Sequence, residues 1–450
     1  MGRINEANLK KSIYYLKRNG FRKTWYAVRE RLDERKQSPY CWMPPSEEEL
    51  KRQQSMWEHR EPPVTFSILV PAYRTKDTYL RELLESMRGQ TYPKWELILA
   101  DASEDDSVER VVRTVEDPRI RYVRLEENRG IAENSNQALK LVTGEYVGLL
   151  DHDDILTEDA LYEMAAQMEA GRQRGIEYEM LYSDEDKCNG ERTEYFEPNL
   201  KEDFNLDLLL SNNYICHFMV MKRELIQKLG FRMEYDGSQD YDLILRAVRL
   251  LLEKEEKIAH IPKVLYHWRC HTGSTAENPR SKSYAYEAGR RAVQDFVEAA
   301  KWRATVEDTA HLGFYRLVYE GSPFESRKDV GAIGGPLMHR RQIAGGRLTE
   351  AGDVVYAGLP LGYSGYLHRA SLAQNAAAVD IRHIRVREEC REIFKEATGL
   401  PWKAIPGTDI FDASGLLSGS DWRTLSLKLG GALRAAGYRI LYLPDWTGKC

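Results

Sequence analysis

Three aspartates and one histidine directly follow an apolar stretch at residues 147–150. They are Asp151, His152, Asp153 and Asp154. The apolar run is typical of a buried strand, whereas an ionised carboxylate without a partner is too costly to bury. We therefore expect the carboxylates at the strand's end, where open α/β sheets bind their ligands. Oxygen ligands in that position suit a hard divalent cation that holds a diphosphate. The alternative is a solvated acidic turn that caps the next helix.

The elements that must position this block follow a regular pattern from Thr65 onward. Short apolar runs alternate with helical periodicity, which predicts an α/β fold with a mainly parallel sheet joined by right-handed crossovers. The predicted strands are 65–70, 96–100, 120–125 and 146–150, and the predicted helices are 78–88 and 131–142. The second strand ends in Asp101, so we expect Asp101 and the acidic block at the same edge of the sheet.

The turn after the first strand argues against two common nucleotide-binding classes. It reads Pro-Ala-Tyr-Arg at 71–74, and the sequence contains neither G-x-G-x-x-G nor G-x-x-x-x-G-K-[ST]. These glycine-rich loops bind phosphate in dinucleotide dehydrogenases and P-loop kinases. Both classes therefore lose their main support.

Length and composition describe an ordinary globular protein. The 450 residues are enough for two domains, and 65 Lys and Arg against 70 Asp and Glu give a formal charge of −5, which does not favour nucleic acid as a partner. The six cysteines have no CxxC spacing, so we expect a reducing compartment and neither a zinc site nor disulfides. A polar N-terminus and the lack of a long apolar run predict a cytoplasmic location.

The first 36 residues are basic, with eleven Lys or Arg against four Asp or Glu. Two amphipathic helices are predicted on either side of Gly20, with apolar residues at helical spacing. Those residues are Leu9, Ile13, Leu16, Phe21, Trp25, Val28 and Leu32. Such segments bind anionic membrane surfaces, for example the inner face of the plasma membrane. A helical hairpin that packs on the main domain is the alternative. Residues 37–63 form a proline-rich connector around an acidic helix that begins at Ser46.

From residue 65 to about residue 300 the sequence resembles bacterial family-two glycosyltransferases of the GT-A fold. The resemblance rests on blocks that occur in the family's order, together with Asn136. They are Ser-Ile-Leu-Val-Pro-Ala-Tyr at 67–73, Asp-Ala-Ser at 101–103, Asn-Arg-Gly-Ile-Ala at 128–132, Asp-His-Asp-Asp at 151–154, Tyr-Ser-Asp-Glu-Asp-Lys at 182–187, Leu-Leu-Leu-Ser-Asn-Asn-Tyr-Ile at 208–215, Asp-Gly-Ser-Gln-Asp-Tyr-Asp-Leu at 236–243 and His-Ile-Pro-Lys-Val-Leu-Tyr-His-Trp-Arg at 260–269.

The resemblance implies a donor pocket and a metal site. The donor-binding residues would be Pro71, Tyr73, Asp101, Arg129, Gly130 and Asp151, although Asp101 also suits a plain helix cap and Arg129 a surface cation. Asp153 would bind Mn²⁺ or Mg²⁺, with Asp154 behind it. A late histidine completes the metal shell in related folds. We expect His271 to be this ligand, and His267 is the alternative.

The resemblance also implies a catalytic base and an acceptor site. Asp240 matches the family's acidic base at the start of a helix, where the helix dipole favours a carboxylate. Capping of that helix is the alternative, and the two roles are compatible. The acceptor-binding residues would be Asn212, Asn213, Tyr214 and Asp242, in a stretch that continues to His217. Asp242 would bind the acceptor or orient the loop. The acidic stretch 183–186 is either structural support or a second metal site.

The last third of the chain contains an apparent partial repeat of the transferase region. Residues 391–399, Asp421 and Pro444 echo residues 223–230, Asp240 and Pro262, with Arg423 in the place of Asp242. This predicts a truncated transferase-like module at 301–450 without metal ligands and without activity. An unrelated small α/β tail is the alternative. The full predicted division is 1–63 for the basic helices and linker, 64–300 for the transferase domain and 301–450 for the module.

Together these features predict a metal-dependent inverting glycosyltransferase of bacterial surface polysaccharide synthesis. The expected partners are a UDP- or dTDP-type sugar donor and a lipid-linked or oligosaccharide acceptor, with a membrane surface or a second copy of the chain as further candidates. A glycoside hydrolase also needs paired carboxylates, but it has no use for the acidic block at a nucleotide-type strand end. A noncatalytic scaffold or acceptor-binding subunit is the main alternative.

Overall fold

The computed structural model describes residues 6–34, 40–271, 283–402, 410–412 and 421–449. The chain forms two compact units. The large-sheet unit comprises residues 38–204 and 213–296, and the split unit comprises residues 1–37, 205–212 and 297–450. The three-part division expected from the sequence stays a prediction.

The helices and strands within the described residues are numbered here in chain order. The α-helices are α1 Glu6–Glu34, α2 Glu47–Met56, α3 Asp77–Arg88, α4 Ser107–Arg113, α5 Ile131–Leu139, α6 Ala160–Gln173, α7 Leu206–Ser211, α8 Arg223–Leu229, α9 Gln239–Leu251, α10 Ser283–Ala299, α11 Pro323–Ser326, α12 Arg391–Thr398 and α13 Trp422–Ala435. The strands are β1 Phe66–Ala72, β2 Trp95–Asp101, β3 Ile120–Arg124, β4 Tyr146–Leu149, β5 Ile155–Leu156, β6 Met180–Asn189, β7 Tyr195–Asn199, β8 Met219–Lys222, β9 Ile258–Cys270, β10 Ala304–Asp308, β11 Tyr315–Tyr319, β12 Val330–Gly334, β13 Leu337–His339, β14 Gln342–Gly345, β15 Arg347–Leu348, β16 Gln374–Asn375, β17 Ala378–Val379, β18 Ile384–Arg387, β19 Ile410–Asp412, β20 Arg439–Tyr442 and β21 Gly448–Lys449.

One mixed sheet organises the large-sheet unit. Its strand order is β3-β2-β1-β4-β8-β6-β9-β5, with β7 paired to β6. The first four strands are parallel, β8 is antiparallel to both of its neighbours, and β6 and β9 are parallel. Ala72 pairs with Asp101, so β1 and β2 end side by side. The predicted α/β class is confirmed, and the carboxyl ends of β1, β2 and β4 share one edge.

The core of this unit forms because its strands are apolar on both faces and its helices on one. In β1 the residues from Phe66 to Val70 are buried, as expected of a parallel strand covered by helices on both sides. In α3 the buried face consists of Leu80, Leu83, Leu84 and Met87, at the spacing of a helical stripe. The predicted strands and helices of this region match the observed ones to within three residues.

The split unit contains smaller sheets around its own core. Strands β16, β20, β12, β18 and β19 form its largest sheet, in which β12 and β20 are parallel. Arg327 has no solvent exposure and binds both carboxylate oxygens of Asp207, at 2.7 and 3.1 Å. This ion pair attaches segment 205–212 to the C-terminal part of the chain.

Helix α1 also belongs to the split unit. Its backbone leaves helical geometry at Gly20, where φ is 75° and ψ is 171°. The predicted break between two basic helices therefore lies at the expected residue. No helix in the described part of the chain has the length and apolar content needed to cross a bilayer.

Candidate active site

The acidic block begins where β4 ends, in the large-sheet unit. The backbone turns here, since the N–H of Asp154 donates to the carbonyl of Asp151 at 3.1 Å. The four side chains consequently face different surroundings. Asp151 is half exposed, and His152 Nδ1 lies 3.0 Å from the Thr75 hydroxyl.

Asp153 meets a residue that is far away in the sequence. Its Oδ2 lies 2.8 Å from Nε2 of His271, and each side chain is about a quarter exposed. The contact arises because β5 pairs with β9, and His271 directly follows the last residue of β9. A carboxylate oxygen and an imidazole nitrogen thus converge beside open space. This donor pair suits a borderline cation such as Mn²⁺ as well as Mg²⁺.

Asp154 is fully buried and connects the block to β9. Its carboxylate accepts hydrogen bonds from the Tyr266 hydroxyl and from the backbone N–H of Arg269, the latter at 2.7 Å. Burial raises the pKa of Asp154 well above its usual value, and the nearby charges of Asp153 and Asp151 raise it further. The general expectation that carboxylates at this strand end lie open to a ligand therefore does not hold for Asp154, because two donors replace water. The resemblance places Asp154 behind Asp153, which is compatible with this burial.

Arg269 is a supporting residue without a role predicted from the sequence. Its side chain has no exposure, and it donates to the carbonyls of Asp153 and Gly190 at 2.7 and 2.8 Å. It also pairs with Glu82 at 2.6 Å and lies over the Tyr79 ring. The arginine was visible in the block at 260–269, but nothing in the sequence indicates that it turns inward.

Asp240 lies in the first turn of α9, at the end of a hydrogen-bonded loop. The side-chain amide of Asn213 donates to its carboxylate at 2.8 Å. Ligand atoms of Cys216, His217 and Asp240 lie within 4.8 Å of one another. The ring of His217 also approaches Asp151, with 3.8 Å between Nε2 and Oδ2. His217 therefore lies between the acidic block and Asp240.

The charge on His217 is favoured by its surroundings. Burial alone opposes a charged ring, but contacts with Cys216 and Glu185 raise the pKa of His217 well above its usual value. Glu185 receives the backbone N–H of His217 at 2.8 Å and lies 3.2 Å from Nδ1. A charged imidazolium between Asp151 and Asp240 would offset part of the negative charge of the site.

The rest of the acidic stretch 183–186 is paired with basic groups. Asp184 binds the backbone N–H of Lys201 and Nε2 of His260, at 2.7 and 2.8 Å. Asp186 binds the ring of His267, which is buried against aromatic rings. These contacts favour structural support over a second metal site. They also occupy His267, the alternative metal ligand.

The donor-binding candidates near β1 and β2 differ in accessibility. Pro71 and Tyr73 are partly exposed at the carboxyl end of β1, and the Tyr73 hydroxyl donates to Glu104 at 3.0 Å. Asp101 has no exposure, and its oxygens accept from the Ser103 N–H at 2.9 Å and the Tyr122 hydroxyl at 2.8 Å. A nucleotide could contact Asp101 only if these groups moved.

Arg129 and Gly130 lie at the start of α5. Arg129 is exposed and pairs with Glu127 at 2.9 Å. Gly130 has a φ of 90°, and a Cβ at this position would lie 2.2 Å from Oδ2 of Asp236. Asp236, a residue without a predicted role, accepts the Ala132 N–H at 3.0 Å. Gly130 therefore allows Asp236 to bind the start of α5 and to anchor the loop before Asp240.

The acceptor candidates are only partly brought together. Asn213 contacts Asp240, whereas Asn212 belongs to the split unit, where its N–H bonds to the carbonyl of Leu208. Tyr214 is 2% exposed, and Asp242 is 1% exposed. Both residues are buried, and their burial does not favour the predicted contact with an acceptor.

The carboxylate of Asp242 instead forms a structural ion-pair network. It pairs with Arg232 and with Arg246, the latter at 2.7 Å. Arg246 also donates to the carbonyls of Leu229 and Gly230. Of the two roles predicted for Asp242, these contacts favour the one of orienting the loop.

Comparison with known proteins identifies the family of one part of the chain. Residues 67–230 match the family model described as Glycosyl transferase family 2, and this part of the chain is a glycosyltransferase domain of that family. The sheet with its acidic strand end is accordingly a GT-A-like fold, as expected from the sequence. The matched region includes the acidic block and Asn213 but ends before Asp240.

Two curated relatives and one solved structure show how far the similarity extends. The O-antigen biosynthesis protein RfbC of Myxococcus xanthus is 32% identical over 59% of this chain, which spans only 21% of that relative's length. An Escherichia coli protein, "UDP-Glc:alpha-D-GlcNAc-diphosphoundecaprenol beta-1,3-glucosyltransferase WfaP", is 28% identical over 47% of this chain and 80% of its own length. The structure of S. aureus TarS 1-349 in complex with UDP-GlcNAc is 20% identical over 52% of this chain and 66% of that chain, with a TM-score of 0.41.

The contact between Gly130 and Asp236 predicts a measurable cost for a single methyl group. Gly130→Ala should lower the free energy of unfolding by about 2–4 kcal/mol, because the substitution adds a clash to a left-handed backbone conformation. Urea titration followed by circular dichroism measures this. Gly175→Ala is the matched control, since Gly175 has a φ of 77° but open space around it. Its cost should be about 1–2 kcal/mol. Equal losses for the two variants would contradict the role given to Gly130.

Proposed function

We propose that this protein is a metal-dependent inverting glycosyltransferase of bacterial surface polysaccharide synthesis. It would move a sugar from a UDP- or dTDP-type donor to a lipid-linked or saccharide acceptor. The main support is one juxtaposition in the large-sheet unit. The Asp151–Asp153 turn, His271 and His217 lie together at the carboxyl end of β4, and Asp240 lies within 4.8 Å of His217.

The donor would bind along this edge of the sheet. Pro71 and Tyr73 would contact the nucleotide, as would Asp101 after a rearrangement of Tyr122. Asp151 would face the ribose, with Arg129 and Gly130 at the pocket's rim. WfaP is named for a UDP-sugar donor, and the chain covers most of that relative's length. Proteins named for O-antigen and colanic acid synthesis are also among the relatives, which supports the polysaccharide setting.

The metal would be held by Asp153 and His271. The fit rests on the convergence of their oxygen and nitrogen atoms at a half-open position, whereas Asp154 is committed to Tyr266 and Arg269. Bound there, Mn²⁺ or Mg²⁺ would act as a Lewis acid on the leaving diphosphate, worth several kcal/mol of transition-state stabilisation.

Asp240 would act as the general base. Its carboxylate would take the proton of the acceptor hydroxyl while that oxygen attacks the anomeric carbon, and the bond from this carbon to the diphosphate oxygen would break. Attack from the opposite face inverts the anomeric centre without a covalent sugar-enzyme intermediate. Asn213 would hold the carboxylate in place by its 2.8 Å hydrogen bond. The acceptor would approach from the side of Asn213.

The C-terminal repeat would not catalyse transfer. Asp421, the counterpart of Asp240, caps α13 by accepting the N–H of Thr424. Arg423 replaces the carboxylate of Asp242 and lies over the Trp422 ring. The repeat would therefore keep the helix start without the surrounding groups that position a base.

Helix α1 would add a membrane contact. Its polar side bonds within the split unit, for example from Asn19 to the carbonyl of Ala310 at 3.0 Å. Its apolar residues face outward instead, and Phe21 is 78% exposed. The other members of this apolar stripe are Ile13, Leu16, Trp25, Val28 and Leu32. Basic residues beside an outward apolar stripe favour an anionic bilayer.

Replacing the proposed base should stop transfer without stopping donor binding. Asp240→Asn keeps the shape of the side chain but cannot take the acceptor proton, so turnover should fall at least about 100-fold. Release of UDP in the presence of acceptor measures turnover, and UDP titration measures donor binding. Asp421→Asn is the matched control in the C-terminal repeat and should leave turnover unchanged. Normal turnover in Asp240→Asn would refute the assignment.

Removing the proposed metal ligands should abolish the Mn²⁺-dependent stabilisation of the protein by nucleotide. With Mn²⁺, UDP should raise the melting temperature of the wild-type protein, and this shift should vanish in Asp153→Ala and in His271→Ala because the donor pair is broken. Differential scanning fluorimetry measures the shift. Glu116→Ala removes an exposed carboxylate of the same unit and should keep it. A full shift in both ligand variants would place the metal elsewhere.

The outward stripe of α1 predicts lipid-dependent binding. The double variant Phe21→Ser, Trp25→Ser should lose most of its sedimentation with vesicles of phosphatidylglycerol and phosphatidylethanolamine, because the buried apolar area is removed. Met43→Ser is the control, since Met43 is 82% exposed outside α1. Light scattering in solution tests the alternative that a second copy of the chain covers this stripe. If the wild-type protein does not bind vesicles but forms a dimer, and the double variant does not form it, the stripe is a dimer contact instead.

A further inference from the structure

A large cavity in the split unit lies outside the site described above. Its volume is about 1060 Å³. One wall is the stretch of α1 from Tyr15 to Glu30, and the others are the turn after β10, the loop 360–364 and the segment 443–447. This volume is at the upper end of ligand pockets in proteins. It is large enough for several linked rings rather than one small molecule.

Two cations on this wall have no counter-charge. Arg22 and Lys23 line the cavity, and neither has a carboxylate partner among the described residues. The other charges of the lining are already engaged. Arg18 donates to the carbonyl of Thr309 at 3.1 Å and lies 3.9 Å from the carboxylate of Asp308. Arg316 pairs with Glu307 at 2.7 Å and with Asp445 at 3.5 Å.

Glu30, the acidic residue that α1 contributes to the lining, already has hydrogen-bond donors. The Glu30 carboxylate is 8% exposed and accepts the backbone N–H groups of Ser364 and Gly365 at 3.0 and 2.6 Å. An anion inside the cavity would thus meet two free cations without displacing an existing ion pair.

Aromatic rings form much of the remaining wall. The rings of Tyr26 and Tyr363 meet edge to face, with centroids 6.4 Å apart. Their hydroxyls are held by Arg341 and Asp33, each at 2.9 Å. Gly362 has a φ of 96°, and a Cβ there would lie 2.7 Å from the Tyr26 ring. The loop 360–364 therefore packs directly on Tyr26, and the ring positions are fixed before any ligand arrives.

His311 lines the cavity with an uncharged aromatic ring. Burial lowers the pKa of His311 to about 4, and Lys23 and Arg18 oppose its protonation further. The ring stacks on His368, with centroids 3.5 Å apart. With His311 uncharged at neutral pH, the lining carries Arg18, Arg22, Lys23 and Arg316 against Glu30, Asp308 and Asp445, a net charge of +1. Arg22 and Lys23 are the two of these cations without a carboxylate partner among the described residues, so an acidic ligand would meet its attractive charge on their side of the cavity.

We propose that this cavity binds an anionic saccharide, namely linked pyranose rings that carry carboxylate or phosphate groups. Fixed aromatic rings offer flat apolar faces with polar edges, which match the two-sided character of a sugar ring. Arg22 and Lys23 would pair with the acidic substituents, and Asn19 and the hydroxyl groups of the wall would meet the sugar hydroxyls. This binding site goes beyond the proposed transfer reaction and needs neither Asp240 nor the metal.

Calorimetric titration of the full chain tests the proposal. The probes are a galacturonic acid tetrasaccharide, neutral maltotetraose and farnesyl diphosphate, which represents a lipid diphosphate. The wild-type protein should bind the galacturonate and should bind maltotetraose at least about tenfold more weakly. No binding of the galacturonate, equal binding of the two saccharides, or binding of farnesyl diphosphate alone would overturn the proposal.

Matched variants locate the binding. The double variant Arg22→Ala, Lys23→Ala should weaken galacturonate binding at least about tenfold. The double variant Lys17→Ala, Arg29→Ala removes the same charge from parts of α1 that do not line the cavity, and it should bind normally. Ala27→Leu fills the cavity without changing charge and should also weaken binding. Equal affinity in all three variants would refute the site.

One further variant separates this proposal from the proposed function. Asp240→Asn should bind galacturonate like the wild type, even when it no longer transfers sugar. Wild-type protein that binds the saccharide but transfers no sugar from a UDP- or dTDP-type donor would leave the cavity assignment intact and refute only the enzyme. The reverse result, activity without saccharide binding, would refute only the cavity.

Discussion

The candidate site depends on one buried carboxylate. Asp154 has no exposure, and donors from β9 satisfy it from two directions, the Tyr266 hydroxyl and the Arg269 N–H. A buried polar group that loses its hydrogen-bond partner typically costs about 1–3 kcal/mol. The turn after β4 and the end of β9 are therefore tied together, although 115 residues separate Asp154 from Arg269. Asp151 and Asp153 can then face open space because Asp154 does not.

This tie explains why the metal candidates meet. Arg269 is itself enclosed, with donors to Asp153 and Gly190 and an ion pair to Glu82. The end of β9 has little freedom under these constraints, and His271 follows it by one residue. A histidine on an unconstrained loop would lose more conformational entropy on binding a cation. Buried supporting groups thus lower the cost of preorganising the exposed ones.

The sequence predicted what depends on local pattern. The strands of the parallel half, the helix that begins at Ser46 and the break at Gly20 follow from hydrophobic periodicity and capping chemistry, which are properties of short segments. The edge position of Asp101 and the acidic block followed from topology alone. The solvent exposure of each side chain was not predictable from local pattern or topology. Asp101, Asp154 and Asp242 differ little in sequence context from Asp151, yet they are buried.

Burial of those carboxylates depends on partners that come from distant segments. Tyr122 reaches Asp101 from the neighbouring strand, and Arg232 reaches Asp242 from the preceding loop. The role of Arg269 was likewise hidden, because an arginine in a strand is normally expected at the surface. Asp236 was missed for the same reason, since only the positive φ of Gly130 brings the α5 start close to it. Sequence patterns identified the acidic residues, and tertiary pairing decided which of them remain free for a ligand.

The two helix starts of the predicted internal repeat allow a proposed base to be compared with a helix cap. Asp240 and Asp421 both stand at the start of a helix, where the local field favours a carboxylate. Asp421 uses its side chain on its own helix, through the N–H and hydroxyl of Thr424. Asp240 instead receives the amide of Asn213, and His217 and Cys216 lie beside it. A carboxylate that already caps its helix has less capacity to accept a proton from a ligand. The surroundings of the helix start, and not the aspartate itself, would therefore separate the proposed active half from the predicted degenerate repeat.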